Sequence, residues 1–147
     1  MTYPVLVSLT GYTVEGDGSQ DSPIKLTTRG MMSKEGSLYT LEYDETQTDE
    51  DSGAMMTQHI VLTMQTNRVQ MTRMGDFGTT MVFVKDKRFE GDYHTPYGDL
   101  SMAVFATKVS MTLSEKKGSL HLQYQLSVQG QYSGMHDLRM EYRALEQ

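Results

Sequence analysis

Residues 100–145, LSMAVFATKVSMTLSEKKGSLHLQYQLSVQGQYSGMHDLRMEYRAL, read as three consecutive antiparallel strands. Phe105, Thr107, Val109, Met111 and Leu113 alternate with polar or small residues up to a loop at Glu115-Lys116-Lys117-Gly118. Leu120, Leu122, Tyr124, Leu126 and Val128 then alternate with His121, Gln123, Gln125 and Ser127. A strand with one buried and one wet face needs this period of two. The stretch therefore decides the class: antiparallel β.

Counting outward from the turns gives a register. With Ser114 opposite Ser119, Leu113 faces Leu120, Met111 faces Leu122, Val109 faces Tyr124 and Thr107 faces Leu126. Across a turn at 130–134, Val128 faces His136, Leu126 faces Leu138, Tyr124 faces Met140 and Leu122 faces Tyr142. The wet face then pairs His121 with Arg143, Gln123 with Glu141, Gln125 with Arg139 and Ser127 with Asp137. A slip of one residue would turn every apolar side chain to water, so which face is buried is strongly specified. Upstream, a turn at 34–37 sets Met32 opposite Tyr39, and a tight turn at Thr66-Asn67 sets Met64 opposite Val69 and Ile60 opposite Arg73. Further alternating runs near 4–15, 79–86 and 88–94, punctuated by Gly, Asp, Asn and Ser, bring the total to about ten. Such a meander avoids exposed edges best by closing on itself. The expectation is an all-β fold: one antiparallel β-barrel of about 8–10 strands, of calycin or lipocalin type, over residues 1–147.

Strand 99–114 has a second apolar face in its first half, formed by Leu100, Met102, Val104 and Ala106. Two apolar faces call for an outer cover: a loop, a short helix or a second subunit in a homodimer.

Size and charge narrow the function classes. A chain of 147 residues buries a real core. It has no cysteine, hence no disulfide and no thiolate metal site. The start MTYPVLVSLTGY lacks the basic region and apolar core of a signal peptide, and no run is long and apolar enough for a spanning helix. These features predict a soluble, cytoplasmic protein with no membrane span. The net charge of −6 is concentrated in residues 1–53, with ten acids and three bases. That balance argues against nucleic acid, whose binding is driven by Lys and Arg displacing counterions. Asp44, Glu45, Asp49, Glu50 and Asp51 are expected to form a solvated loop at 44–51, since they lack the ligand spacing and central glycine of a calcium-binding loop. Gly16-Asp17-Gly18 reads as a hairpin turn, because no helix follows it.

Several motifs together resemble the YwiB-like family of small bacterial proteins, a domain of unknown function. They are Tyr93-His94-Thr95-Pro96-Tyr97-Gly98-Asp99-Leu100, Ala106-Thr107, Gly118-Ser119-Leu120, Tyr124-Gln125-Leu126, Leu41-Glu42-Tyr43-Asp44-Glu45 and Arg73-Met74-Gly75. The resemblance implies a calycin-like barrel and a bacterial cytoplasmic origin. By analogy of fold alone, it also implies a lumen for a small apolar molecule; fold does not establish function.

The counted inward face is more polar than a plain core. It carries Thr28, Tyr39, Tyr43, Arg73, Thr107, Tyr124, His136 and Tyr142. Of these, Arg73, Tyr43, Thr107, Tyr124, Tyr142 and His136 are the ligand-binding candidates. A guanidinium does not lose its proton, so Arg73 needs an anion or a full set of acceptors. One reading gives it a ligand carboxylate or phosphate; the other sets it near a barrel mouth, snorkelling to water or paired with Glu42 or Asp76. Thr95-Pro96-Tyr97-Gly98 is a turn entering the long strand, with a role at the barrel mouth as its functional reading. Thirteen methionines suit irregular packing or a varied apolar ligand. His121 and His136 fall on opposite faces and His59 and His94 have no counted neighbour, so no metal site is expected. No cofactor motif or catalytic constellation occurs. Three functions follow in order: a non-enzymatic binding protein for a small apolar or anionic amphiphilic ligand; a filled barrel acting as a homodimer; and an enzyme using the lumen.

Overall fold

The computed structural model describes residues 2–14, 19–20, 23–48, 52–75 and 78–145. The turn expected at Gly16-Asp17-Gly18, and Asp49, Glu50, Asp51 and Asp76, lie outside them. Ten strands run in chain order: β1 (Thr2–Val14), β2 (Ile24–Glu35), β3 (Leu38–Thr48), β4 (Met55–Gln65), β5 (Arg68–Met74), β6 (Gly78–Phe83), β7 (Arg88–Thr95), β8 (Gly98–Leu113), β9 (Lys117–Val128) and β10 (Gln131–Ala144). Each pairs antiparallel with its sequence neighbours, and β1 pairs with β10, closing the barrel. This is the all-β closed meander that the alternation predicts, consistent with a calycin-like barrel. No helix among the described residues is long and apolar enough to cross a membrane.

Outside the first half of β8, alternation assigns the counted faces correctly, and turn geometry corrects the register. Between β4 and β5 the count holds: Met64 faces Val69, Leu62 faces Met71 and Ile60 faces Arg73 around Thr66-Asn67. Between β9 and β10 the turn is Gln129-Gly130, both with positive φ (51° and 78°), rather than a five-residue turn ending at Gly134. The shorter turn, together with a bulge at Ser133 between Tyr132 and Gly134, slides the pairing by four residues, so His136 faces Tyr124, Leu138 faces Leu122 and Tyr142 faces Gly118. The wet face shifts too, setting Arg139 opposite His121 and Asp137 opposite Gln123. The β2–β3 and upper β8–β9 pairings slide by two: Met32 faces Leu41, and Met111 faces Leu120. All of these shifts are even, so no side chain changes face.

The two-faced strand has a different explanation from an outer cover. The ladder between β8 and β9 breaks register between Ala106 and Lys108, leaving Thr107 as the extra residue of a β-bulge. The inward parity switches there. Met102, Val104 and Ala106 are buried inside before the bulge, and the inward set continues as Val109, Met111 and Leu113 after it. Phe105 therefore points outward, correcting its place on the inner face, and Met102 and Val104 leave the supposed outer strip. The basis for a homodimer through Leu100, Met102 and Val104 goes with it. The bulge lies just beyond the last β7–β8 pair, Arg88 with Phe105, where β8 passes from two neighbours to one.

Asp44 and Glu45 belong to β3 rather than to an acidic loop. The core fills one part of the lumen with Val5, Val7, Leu62, Met64, Phe83, Leu122 and Met140, all fully buried. At that end Tyr142 lies over Gly118, where a Cβ would run into the Tyr142 ring.

Candidate functional site

The lumen is packed at one end and hollow at the other. In an up-and-down barrel the ends of odd-numbered strands and the starts of even-numbered strands share a rim. Arg73 near the end of β5, Glu45 toward the end of β3 and Gln58 near the start of β4 therefore meet inside the same mouth. Arg73 Nη1 donates to Glu45 Oε2 at 3.2 Å and to Gln58 Oε1 at 3.3 Å. Its acid partner is thus Glu45, not Glu42, which is exposed on the other face. Both bonds leave from Nη1, and Nε and Nη2 have no acceptor among the described residues.

Two cavities share Arg73 and Tyr124 in their walls. The larger, about 550 Å³, is lined by Met56, Met81, Met102, Leu100, Leu126 and Val128, with Gln58 and Thr79 as further polar groups. The smaller, about 280 Å³, is lined by Glu45, Tyr43, Tyr12, Thr13 and His136 beside Leu9, Leu26 and Leu138. The larger volume lies within the range of small-molecule sites, roughly 300–1,000 Å³. Methionine is flexible and polarisable, so a wall with three of them adapts to an apolar chain of varied shape. A third hollow, about 440 Å³, lies on the outside of the barrel wall along Leu6, Ser8, Thr112, Ser119 and Glu141 and is no part of the lumen.

Burial disfavours ionisation of two of the lumen tyrosines, Tyr43 and Tyr124. Burial pushes the Tyr43 hydroxyl well above its ordinary value, with the Arg73 charge opposing and Glu45 assisting. Burial raises Tyr124 likewise, again opposed by Arg73. Tyr124 stacks on His136 with ring centroids 5.2 Å apart and planes 9° apart, and tilts against Phe83 at 4.8 Å. The Thr13 hydroxyl lies 3.2 Å from His136 Nδ1. Thr79 sits 3.0 Å from the Asp92 carbonyl and 3.4 Å from the Met102 sulfur.

Of the expected ligand-binding residues, Arg73, Tyr43, Tyr124 and His136 converge on this mouth. Thr107 does not join them: it is the bulged residue, and its hydroxyl donates to the Gln123 carbonyl at 3.1 Å. Tyr142 lies six residues beyond His136 along β10, about 20 Å away at the rise of a strand. Its hydroxyl donates to the Ser114 carbonyl at 2.5 Å, and burial pushes its pKa up to about 12. Thr95-Pro96-Tyr97-Gly98 joins β7 to β8 on the Arg73 rim. Thr95 Oγ1 accepts from the Tyr97 amide (3.1 Å) and donates to the Gly98 carbonyl (2.7 Å). Glu45 and Gln58 were missed as site residues. Extending the period-two count would have found them, since Glu45 follows Tyr39, Leu41 and Tyr43, and Gln58 precedes Ile60 and Leu62.

The histidines outside the lumen have carboxylate partners that no strand count supplied. His59 bonds Asp44 and His94 bonds Asp99, each at 2.8 Å. His121 bonds Asp137 at 2.9 Å on the outer face. No group of three or more metal-ligating acids or histidines gathers among the described residues.

Residues 7–140 match the model of a domain of unknown function, DUF1934. The chain belongs to that family. A solved structure with the same fold, the ywiB protein from Bacillus subtilis, superposes with a TM-score of 0.81 at 19% identity, covering 99% of this chain and 94% of that one. At that identity the likeness establishes the shared fold, and the family's own description leaves function open. Among curated proteins, none matches.

Proposed function

We propose that this family member is a non-catalytic cytoplasmic protein that binds one small amphiphile in its lumen. The apolar chain lies among Met56, Met81, Met102 and Leu126, and a polar or anionic head meets Arg73, Tyr43 and Tyr124. One observation carries the reading: a cavity of about 550 Å³ ends on a guanidinium that retains unused donors. The Arg73 side chain is 28% exposed at the mouth, so its remaining donors face solvent that the head of a ligand in the cavity can replace. Glu45 supplies part of the Arg73 shell, so a carboxylate head competes with it for Arg73, while a hydroxyl or amide head bonds the pair without displacing it.

Native mass spectrometry of the protein purified from its own organism, followed by denaturing extraction, tests the reading. A stoichiometric co-purifying amphiphile supports it and identifies the head group. Arg73→Leu then separates anchor from scaffold: the variant folds and loses the molecule if Arg73 is the anchor. A variant that is destabilised yet keeps its ligand content would make Arg73 a structural partner of Glu45 instead.

A further inference from the structure

Large apolar side chains are exposed at six places among the described residues, and five of these share one rim. Ile24 opens β2, Met55 opens β4, Met74 closes β5, Tyr97 sits in the β7–β8 turn and Tyr132 is near the start of β10. By strand direction, all five encircle the mouth that leads to Arg73. Met31, on the barrel wall, is the sixth. Three of the five are almost wholly in water: Tyr97 at 96%, Ile24 at 75% and Met55 at 72% exposure.

We propose that this rim docks on a net-neutral lipid surface and that the amphiphile passes from that surface into the lumen. The inference rests on the lumen reading and adds where the ligand comes from. The five side chains are spaced round an opening rather than gathered in one groove. A flat, fluid surface touches all five together, whereas a peptide or helix needs a contiguous track. Tyr97 and Tyr132 each pair an apolar ring with a hydroxyl, the combination that favours the headgroup layer. The opposite end instead presents the Lys34–Glu115 ion pair at 3.6 Å together with Lys116 and Lys117, and none of the exposed large apolar residues. Charge selects the kind of lipid. The strands forming the rim carry Asp44, Asp92 and Asp99 against Lys25, with Asp44 and Asp99 bonded to His59 and His94, and the chain carries −6 overall, so an anionic surface offers it no attraction. Continuity completes the argument: the rim leads into a cavity walled by methionine and leucine, so an apolar chain can enter without crossing water.

Flotation of the full chain with phosphatidylcholine vesicles tests this, beside a variant carrying Met55→Gln, Tyr97→Ser and Tyr132→Ser. These positions are exposed, so the fold is retained, as circular dichroism would verify. The wild type is expected to float and the variant to bind about tenfold more weakly, the equivalent of roughly 1.4 kcal/mol. A wild type that stays in the dense layer, or a variant that floats equally, overturns the proposal. Vesicles enriched in phosphatidylglycerol are expected not to strengthen flotation; strengthened flotation overturns the choice of a neutral surface. A dimer in sedimentation velocity that the triple variant abolishes would make the rim a contact between copies and also overturn it. Dansyl-labelled undecanoic acid, titrated without vesicles, keeps the two readings apart. Both proteins are expected to bind it alike. Binding of the probe without flotation sinks the rim inference alone; flotation without probe binding sinks the lumen reading and the transfer step with it.

Discussion

His121 on β9 and Asp137 on β10 are bonded at 2.9 Å on the outside of the barrel, where Asp137 is nevertheless only 3% exposed. The pair forms because the Gln129-Gly130 turn and the bulge at Ser133 set Asp137 opposite Gln123, one step diagonal from His121. Gln123 Nε2 adds a bond to the same oxygen at 2.8 Å, and Arg139 Nε approaches the other at 3.4 Å. A shielded carboxylate is tolerated here because its acceptors are filled from both strands.

Burial pushes the Asp137 carboxyl up, but the bonds from His121 and Gln123 and the charges of His121 and Arg139 outweigh it, and it titrates below its ordinary 3.8. A carboxyl whose pKa is depressed by folding stabilises the fold fully above its unfolded value, and that contribution disappears as pH falls through the folded one. Asp137→Asn should therefore flatten the acid limb of stability against pH. Asp137→Ala should cost about 1–3 kcal/mol at neutral pH, by leaving His121 and Gln123 without their acceptor. Urea denaturation between pH 7 and the acid limit measures both. An unchanged acid limb in the Asn variant would show that Asp137 does not carry the effect.

The bulge at Thr107 makes opposite predictions for neighbouring residues of β8. Val104 is fully buried and Phe105 points outward. Val104→Lys should abolish folding, since it forces an unpaired ammonium into the core. Phe105→Lys should cost about 1 kcal/mol or less, in line with ordinary surface substitutions. Soluble yield and thermal melts of the two variants decide; the reverse order would restore the unbulged strand.

Glycine acts by different physics in two places. At Gly118 a Cβ would enter the space of the Tyr142 ring. Gly118→Ala should displace that ring and weaken its bonds to Ser114, costing about 1–3 kcal/mol as overpacking does. At Gly130, with φ of 78° and open space around it, Gly130→Ala should cost about 1 kcal/mol from backbone strain alone. Tyrosine near-ultraviolet dichroism should change in the first variant and not in the second.

The Glu45–Arg73 pair predicts head-group selectivity. Removing the Glu45 charge frees the guanidinium for a carboxylate, so Glu45→Gln should bind lauric acid about five- to tenfold more tightly, the scale of one charge-assisted hydrogen bond. Dodecanol should bind both proteins alike. Calorimetric titration reads the two ligands; equal gains for acid and alcohol would show that Glu45 acts through cavity shape rather than charge.

Arg73 shows how far the lumen site was legible in the chain. Ile60 opposite Arg73 could be counted because the Thr66-Asn67 turn is tight and both strands are regular. Its inward face and its place near a mouth followed. Its partner did not, because Glu45 lies on β3, one strand removed across β4, and the β3–β4 register that sets Glu45 opposite Gln58 crosses a long connection with no tight turn to count from. Thr107 was misassigned for a related reason. A bulge changes parity by one residue, and in a strand apolar on both sides the pattern does not mark where the change occurs.

The sequence alone determined the antiparallel class, the ten strands, the buried face of most of them and the polar residues of that face. These follow from alternation, a local property written in neighbouring residues. Only the tertiary structure decided the register of the longer turns, the bulge in β8, the Arg73–Glu45 and His121–Asp137 pairs, and the division of the lumen into a packed end and a hollow one. Those depend on turn geometry and on contacts between strands distant in the chain. Side-chain periodicity is blind to an even slip in register, so it can say which way a residue points without saying what it meets.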